Sequence, residues 1–191
     1  MSILCLYQNY QELQLLVKAG DSVVTRDIPL EANKLTSTLS RNLIVEIESL
    51  LKQSEVDFQA LAKIACVHGP SSFTALRITL AALQGIALIN SAKVYTCSLL
   101  KLEAFASQHK DILLSNQKGG GFFQSFTFTT AGIPTVFSEV FLQENVVCPS
   151  LTADVSHLLT LAEREENWGS YHLLQPFYGQ TPVFKKKQPF P

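Results

Sequence analysis

The opening of the chain alternates between apolar and polar positions. Residues 3–6, 13–17 and 23–28 are short apolar or alternating stretches, parted by Gln8-Asn9-Tyr10-Gln11 and by Ala19-Gly20-Asp21. This spacing predicts an antiparallel meander of three strands. From Ala32 the period lengthens: Leu35, Leu39, Leu43, Ile47 and Leu50 recur every three or four residues, with Arg41, Glu48 and Lys52 on other faces. That pattern predicts an amphipathic helix over 35–53. A strand over 63–67 is punctuated by His68-Gly69-Pro70-Ser71, and a helix follows from about Ser72 to 90. A strand over 93–96 and a helix over 98–108, capped by Ser98, complete the first unit. Strands in this order predict an α/β layer in which the later strands join the sheet in parallel.

After residue 108 the texture changes. Residues 112–115, 122–129 and 135–141 predict strands, divided by Gly119-Gly120-Gly121 and Ala131-Gly132-Ile133-Pro134, and 153–166 predict one further helix. The expected organisation is therefore a first lobe over 1–108, a smaller hairpin-rich lobe over 109–175, and an arm over 176–191. Pro176, Pro182, Pro189, Pro191 and Gly179 keep that arm from being helical.

Composition narrows the function. With 191 residues, 47% hydrophobic and only 16% charged, the chain can build a core without disulfides or metals. The net charge of −1 is spread evenly, nine basic and nine acidic residues before position 109 and six and seven after it. A protein gripping nucleic acid alone would show a basic face, so autonomous binding of this kind is not expected. Cys5, Cys66, Cys97 and Cys148 form no C-x-x-C pair and read as reduced, buried thiols of a cytoplasmic protein. The run from Ile78 to Ile89 is broken by Thr79, Gln84 and Gly85. It falls short of the roughly 20 residues of a membrane span, so a soluble protein is expected.

The helix after Ser72 is apolar all round. Phe73, Leu76, Leu80, Leu83 and Ala87 share one face, and Thr74, Ile78, Ala81, Gly85 and Ile89 the opposite one. If the larger residues lie on the sheet, the small ones are expected against another helix, because small side chains permit close approach of backbones. The helix over 35–53 can cover part of that face. A partner chain is expected to cover the rest.

The segment GPSSFTALR at 69–77, the small-residue helix behind it and then KVYTCSLLKLEAFA resemble the TsaB family, also called YeaZ. The corresponding family stretch has the form G-P-G-S-F-T-G-L-R, a small-residue helix, a strand and S-S-L-E-A-L-A. The opening ILCLYQNYQELQLLVKAG is similar to that family's first hairpin. Asn116-Gln117-Lys118 before Gly121-Phe122-Phe123 falls where the family has D-A-R and an aromatic strand, and Gln175-Pro176-Phe177-Tyr178 resembles its P-x-Y segment. The strong likeness covers about residues 60–108.

This resemblance implies an actin-like ASKHA (ribonuclease H-like) α/β fold of two related lobes, the second reduced. It implies a non-catalytic subunit of the machinery that makes threonylcarbamoyladenosine (t6A) in tRNA, with no cofactor. The implied partners are a TsaD-like transferase, a TsaE-like ATPase and a second copy of the chain, with tRNA met only through the complex. The implied interface lies on the two helices at 35–53 and 72–90 and carries Leu39, Leu43, Thr74, Ile78, Ala81 and Gly85.

Several positions depart from the family pattern. Ser71 and Ala75 replace two glycines, and Tyr7 stands where the first strand of the family ends in Asp. Relatives of this fold that handle phosphate use a carboxylate there for Mg²⁺, which weighs against the alternative of a small ASKHA metabolite kinase or hydrolase. A peptidase reading lacks metal-ligand spacing: none of His68, His109, His157 and His172 is followed by a second His or Cys at i+2 to i+4. No metal site and no catalytic residue is expected, nor any base beside Cys66.

The remaining features have ordinary expected roles. Glycines 119–121 open no helix and read as a flexible hairpin turn rather than a phosphate loop. Ser71 and Ser72 do open one: they are a candidate anion site, although helix capping accounts for the same residues. Lys185-Lys186-Lys187 reads as a solvated tail, and Glu163, Glu165 and Glu166 as the wet face of the last helix.

Overall fold

The computed structural model describes residues 1–29, 35–116, 120–165 and 167–179. The meander forms as its spacing demands: β1 (Ser2–Gln8), β2 (Glu12–Ala19) and β3 (Ser22–Pro29) pair antiparallel. Helix α1 (Leu35–Gln53) leads to β4 (Lys63–Val67), α2 (Phe73–Asn90), β5 (Lys93–Cys97) and α3 (Leu99–Ser107). Strands β4 and β5 join in parallel, so the five-stranded sheet has the order β3-β2-β1-β4-β5.

The central strand β1 is buried along its whole length, which its unbroken apolar run required. Leu4 and Leu6 point to one face, where α1 and α2 lie with Leu13, Leu15, Ile64 and Val94. Ile3, Cys5 and Tyr7 point to the other, against α3, the final helix and the second lobe.

The second sheet contains β6 (Asp111–Ser115), β7 (Gly120–Phe128), β8 (Pro134–Val136) and β9 (Phe141–Glu144). The single strand predicted over 135–141 is two strands, because the chain bulges between them. The Ser138 hydroxyl accepts from the Ser125 amide at 3.0 Å, and the Gln124 side chain donates to the Ser138 carbonyl at 3.1 Å. The expected loose turn at glycines 119–121 also needs correction, for Gly120 and Gly121 begin β7. An added Cβ at Gly120 would stand 2.5 Å from the Gln143 carbonyl, and one at Gly121 would stand 2.8 Å from Leu113 and 2.9 Å from the Cys148 sulfur. These glycines allow close packing of backbones. Gly119 lies outside the described residues.

Helix α4 (Val155–Glu165) follows the second sheet in sequence but packs on the first, against β1, β2 and β4. The buried Glu103 of α3 fixes its approach, accepting from the Thr152 amide at 3.0 Å and the Ala153 amide at 2.9 Å. The acidic stretch at its end is not simply a wet face. Glu163 pairs with Lys18 at 2.6 Å, and Glu165 pairs with Lys101 at 2.6 Å and accepts from the Tyr95 hydroxyl. Glu166 lies outside the described residues, as do Lys185, Lys186 and Lys187.

Cys5, Cys66 and Cys97 are buried free thiols, and desolvation raises the pKa of each. Cys148 departs from the expected burial and is partly exposed. By length and composition α2 could be weighed as a membrane span, but it lays Leu76, Leu80, Leu83 and Ile86 into the core beneath it.

Candidate functional site

Helix α2 begins after a tight turn. Gly69 takes φ +117° and Ser71 does not share the left-handed region, so replacing the family's glycine at 71 brings no backbone strain. Neither serine caps the helix as expected: Ser72 occupies the N-cap position without a side-chain bond, and the buried Ser71 hydroxyl instead accepts from the Gln8 side chain at 3.4 Å.

The arm expected at the C-terminus packs on this turn as far as it is described. The Phe177 amide donates to the His68 carbonyl at 2.7 Å, and the Gln84 side chain donates to the Leu174 carbonyl at 2.8 Å. His68 Nδ1 lies 3.1 Å from the Gln175 carbonyl, an acceptor, so that nitrogen carries the proton. Burial holds the His68 pKa below its ordinary value, although that bond works the other way. Phe73, expected on the sheet-facing side of α2, is 52% exposed and stacks on Tyr178 with centroids 4.7 Å apart.

Beyond this cover, α2 divides cleanly. Leu76, Leu80, Leu83 and Ala87 are buried against the sheet and α1. On the opposite side Thr74, Ala81 and Gly85 are exposed and Ile78 is half-buried. Leu88 and Ile89 extend this face at 60% and 74% exposure. Apart from the adjoining residues and the helix's own backbone, no heavy atom of the described residues lies within 4 Å of the place a Gly85 Cβ would occupy. The helix over 35–53 packs beside α2, and Ile78 and Ala82 of α2 are half-buried against the core that the two helices share. Leu39 and Leu43, placed by sequence on the interface, are 2% and 3% exposed and belong to the core of the chain itself. The outward residues of α1 next to them are Arg41, Ile44, Val45 and Glu48. A 3.6-residue period marks which positions share a face, but it does not say whether that face meets the sheet or water.

A second location is the turn after β1, where phosphate-handling relatives carry a carboxylate. Here the end of β1 carries neutral side chains, and Asn9 donates to the Glu12 carboxylate across the turn at 3.3 Å. The buried Gln8 accepts from the Thr79 hydroxyl at 2.8 Å. Asn9 accepts from the backbone amides of Gln11 and Glu12 at 2.7 and 3.0 Å and donates to the Tyr7 hydroxyl at 3.1 Å. Burial raises the Tyr7 pKa, so the phenol stays neutral. Thr79, which in the sequence only interrupts an apolar run, is fully buried because Gln8 needs a donor inside the core. The cleft between this turn and the second lobe has a volume of about 440 Å³ and is lined by Asn9, Tyr10, Glu12, Leu114, Cys148 and Leu151 among others.

Among the described residues no group of three or more His, Cys, Asp or Glu side chains comes together as metal ligands. His157 bonds to Asp154 at 2.7 Å and His172 lies against the Tyr171 ring, while His109 is exposed. Asn116 receives the Gly120 amide at 3.1 Å, while Gln117 and Lys118 lie outside the described residues.

A family model described as tRNA N6-adenosine threonylcarbamoyltransferase (TsaD) matches residues 29–114. YeaZ from Pseudomonas aeruginosa has the same fold, with a TM-score of 0.73 at 15% identity over 93% of this chain and 99% of that one. A second solved structure, of a protein with similarity to peptidase YeaZ from Pseudomonas aeruginosa, gives 0.72 at 16% identity over 94% and 99%. No curated protein matches the chain by sequence. The actin-like, ribonuclease H-like architecture and the likeness to TsaB expected from residues 69–77 are thus borne out at the level of the fold.

Proposed function

We propose that this chain, which has the YeaZ fold, is a TsaB-type cytoplasmic subunit of the t6A machinery that acts without chemistry of its own. It docks on a TsaD-like transferase and stabilises the transferase's active conformation. The carrying observation is the outer face of α2, where Ala81, Gly85, Leu88 and Ile89 form an apolar strip, with Thr74 and Arg77 at its N-terminal end, that the described chain leaves to solvent. Such a strip is costly in water, at about 25 cal/mol per Å² of apolar surface, and a facing helix removes that cost. Small residues at 81 and 85 let the facing backbone approach closely. The same strip is self-complementary in character, so in the absence of the transferase a homodimer through it competes.

The neutral turn at Tyr7, Gln8 and Asn9 supports a non-catalytic role. The metal-binding carboxylate that phosphoryl transfer requires at the end of β1 on this fold is replaced by an amide network. A TsaE-like ATPase and tRNA join through the complex. The test is co-purification with the TsaD-like protein of the same cytoplasm. Ala81→Arg is expected to abolish it while the isolated chain keeps its melting temperature, since Ala81 is exposed. Retention of the complex by Ala81→Arg would place the contact elsewhere.

A further inference from the structure

At the end of the first sheet opposite the β1–β2 turn, the strand register sets four residues in one row. Lys18 lies opposite Ile3, Ile3 opposite Lys63, and Lys63 opposite Lys93. Residues directly opposite one another share a face, so three lysines project on the same side of the sheet across β2, β4 and β5. Neighbouring strands lie about 4.8 Å apart, so Lys63 and Lys93 are adjacent like charges. Among the described residues neither has a carboxylate partner, whereas Lys18 is paired with Glu163. The Lys63 ammonium lies 4.3 Å from the ring centroid of Trp168, whose other neighbour is Tyr95 at 5.8 Å.

Ile3, Lys18, Lys63, Lys93 and Trp168 line an open cavity of about 690 Å³, together with Met1, Asp21 and Glu163. Three lysines face Glu163 and Asp21, which leaves an excess of positive charge. Two cations held side by side without a counterion repel each other, and a doubly charged anion between them reverses the sign of the interaction. Lysine suits this role, because its ammonium binds phosphate as a point charge and its stem can swing to meet the ligand.

We propose that this shelf binds a phosphate group, gripped by Lys63 and Lys93 over Trp168, and that the phosphate belongs to an RNA strand, which this chain then touches directly and not only through the complex. The linear spread of the cations across the strands favours a polyanion over an isolated ion. The inference is independent of the docking face on α2: its failure would leave that reading untouched, and the reverse also holds.

Trp168 is the one tryptophan of the chain, so its fluorescence reports on Lys63 directly. The full-length protein is titrated at low ionic strength with inorganic phosphate and, separately, with a short single-stranded oligouridylate, potassium chloride at equal ionic strength being the control. A saturable change is expected with both ligands and tighter with the oligonucleotide, whose log affinity falls against log salt with a slope of about −1.4 for two phosphates engaged. Equal affinity for the two would assign the shelf to a free phosphate instead of RNA and overturn the RNA part of the proposal. Among the described residues the exposed Lys93 has no side-chain partner to lose, and Lys93→Gln is expected to weaken binding about five-fold. The Lys63→Met/Lys93→Met variant is expected to abolish the saturable change and to melt no lower than the parent without ligand, since the repulsion is gone. No saturable change with either ligand, the same change with chloride, or unchanged binding by Lys93→Gln overturns the proposal.

Discussion

Substitution of Gly85 by alanine separates folding from docking, because the two respond with opposite signs. Gly85 sits inside α2 with ordinary helical φ, and its Cβ position is empty space within the chain. Alanine there gains the helix-propensity difference, about 0.8–1 kcal/mol, with no clash to offset it. For a chain of this length that corresponds to a melting temperature about 2–4 °C higher. On the docking reading, the missing methyl group serves a contact from outside the chain. If a partner helix lies against this face, the new methyl group enters a closed contact and overpacking costs about 1–3 kcal/mol. Affinity for a TsaD-like partner then falls by roughly five- to 150-fold. Calorimetric melting of the isolated chain and titration of the partner on the same preparation measure both effects. A lower melting temperature would mean that Gly85 serves the fold itself, and a higher one with unchanged affinity would mean that no closely packed helix meets this face.

Other substitutions test the supports around the site. Gly69→Ala forces a side chain into φ +117° and places a Cβ 2.2 Å from the Phe177 carbonyl. A loss of about 1–3 kcal/mol from backbone strain alone is expected, with faster chymotryptic cleavage at Phe177 and Tyr178 as the arm lifts. Glu103→Ala leaves the buried amides at 152 and 153 without an acceptor and is expected to cost about 2–4 kcal/mol in denaturant unfolding, with Glu103→Gln milder because one oxygen remains. His68 is held neutral in the folded chain, with its pKa lowered from the ordinary 6.5 by burial. The unfolded chain therefore takes up the proton first. Stability is unaffected by His68 above about pH 6.5 and falls as pH drops from there towards the lowered folded value, a slope that His68→Gln should remove from the pH dependence of the melting temperature.

The period of the apolar residues alone determined the order of the elements, the parallel addition of β4 and β5, and the two-sided apolar character of α2. These are local properties, since side-chain direction repeats with the backbone and burial follows it. The segment 69–77 also carried the likeness to TsaB, because a glycine at φ +117° beneath a packed arm leaves a recognisable trace. What only the tertiary structure decided depends on who lies opposite whom. Leu39 and Leu43 have the same character as Ile44 and Val45, yet the first pair faces the core and the second faces water. Thr79 and Glu103 look like interruptions until Gln8 and the 152–153 amides are brought to them across the fold. Lys18, Lys63 and Lys93 are scattered in sequence and become one shelf only through strand register. Charge and hydrogen bonding act between groups that the chain brings together from far apart, and that proximity exists only once the sheet has formed.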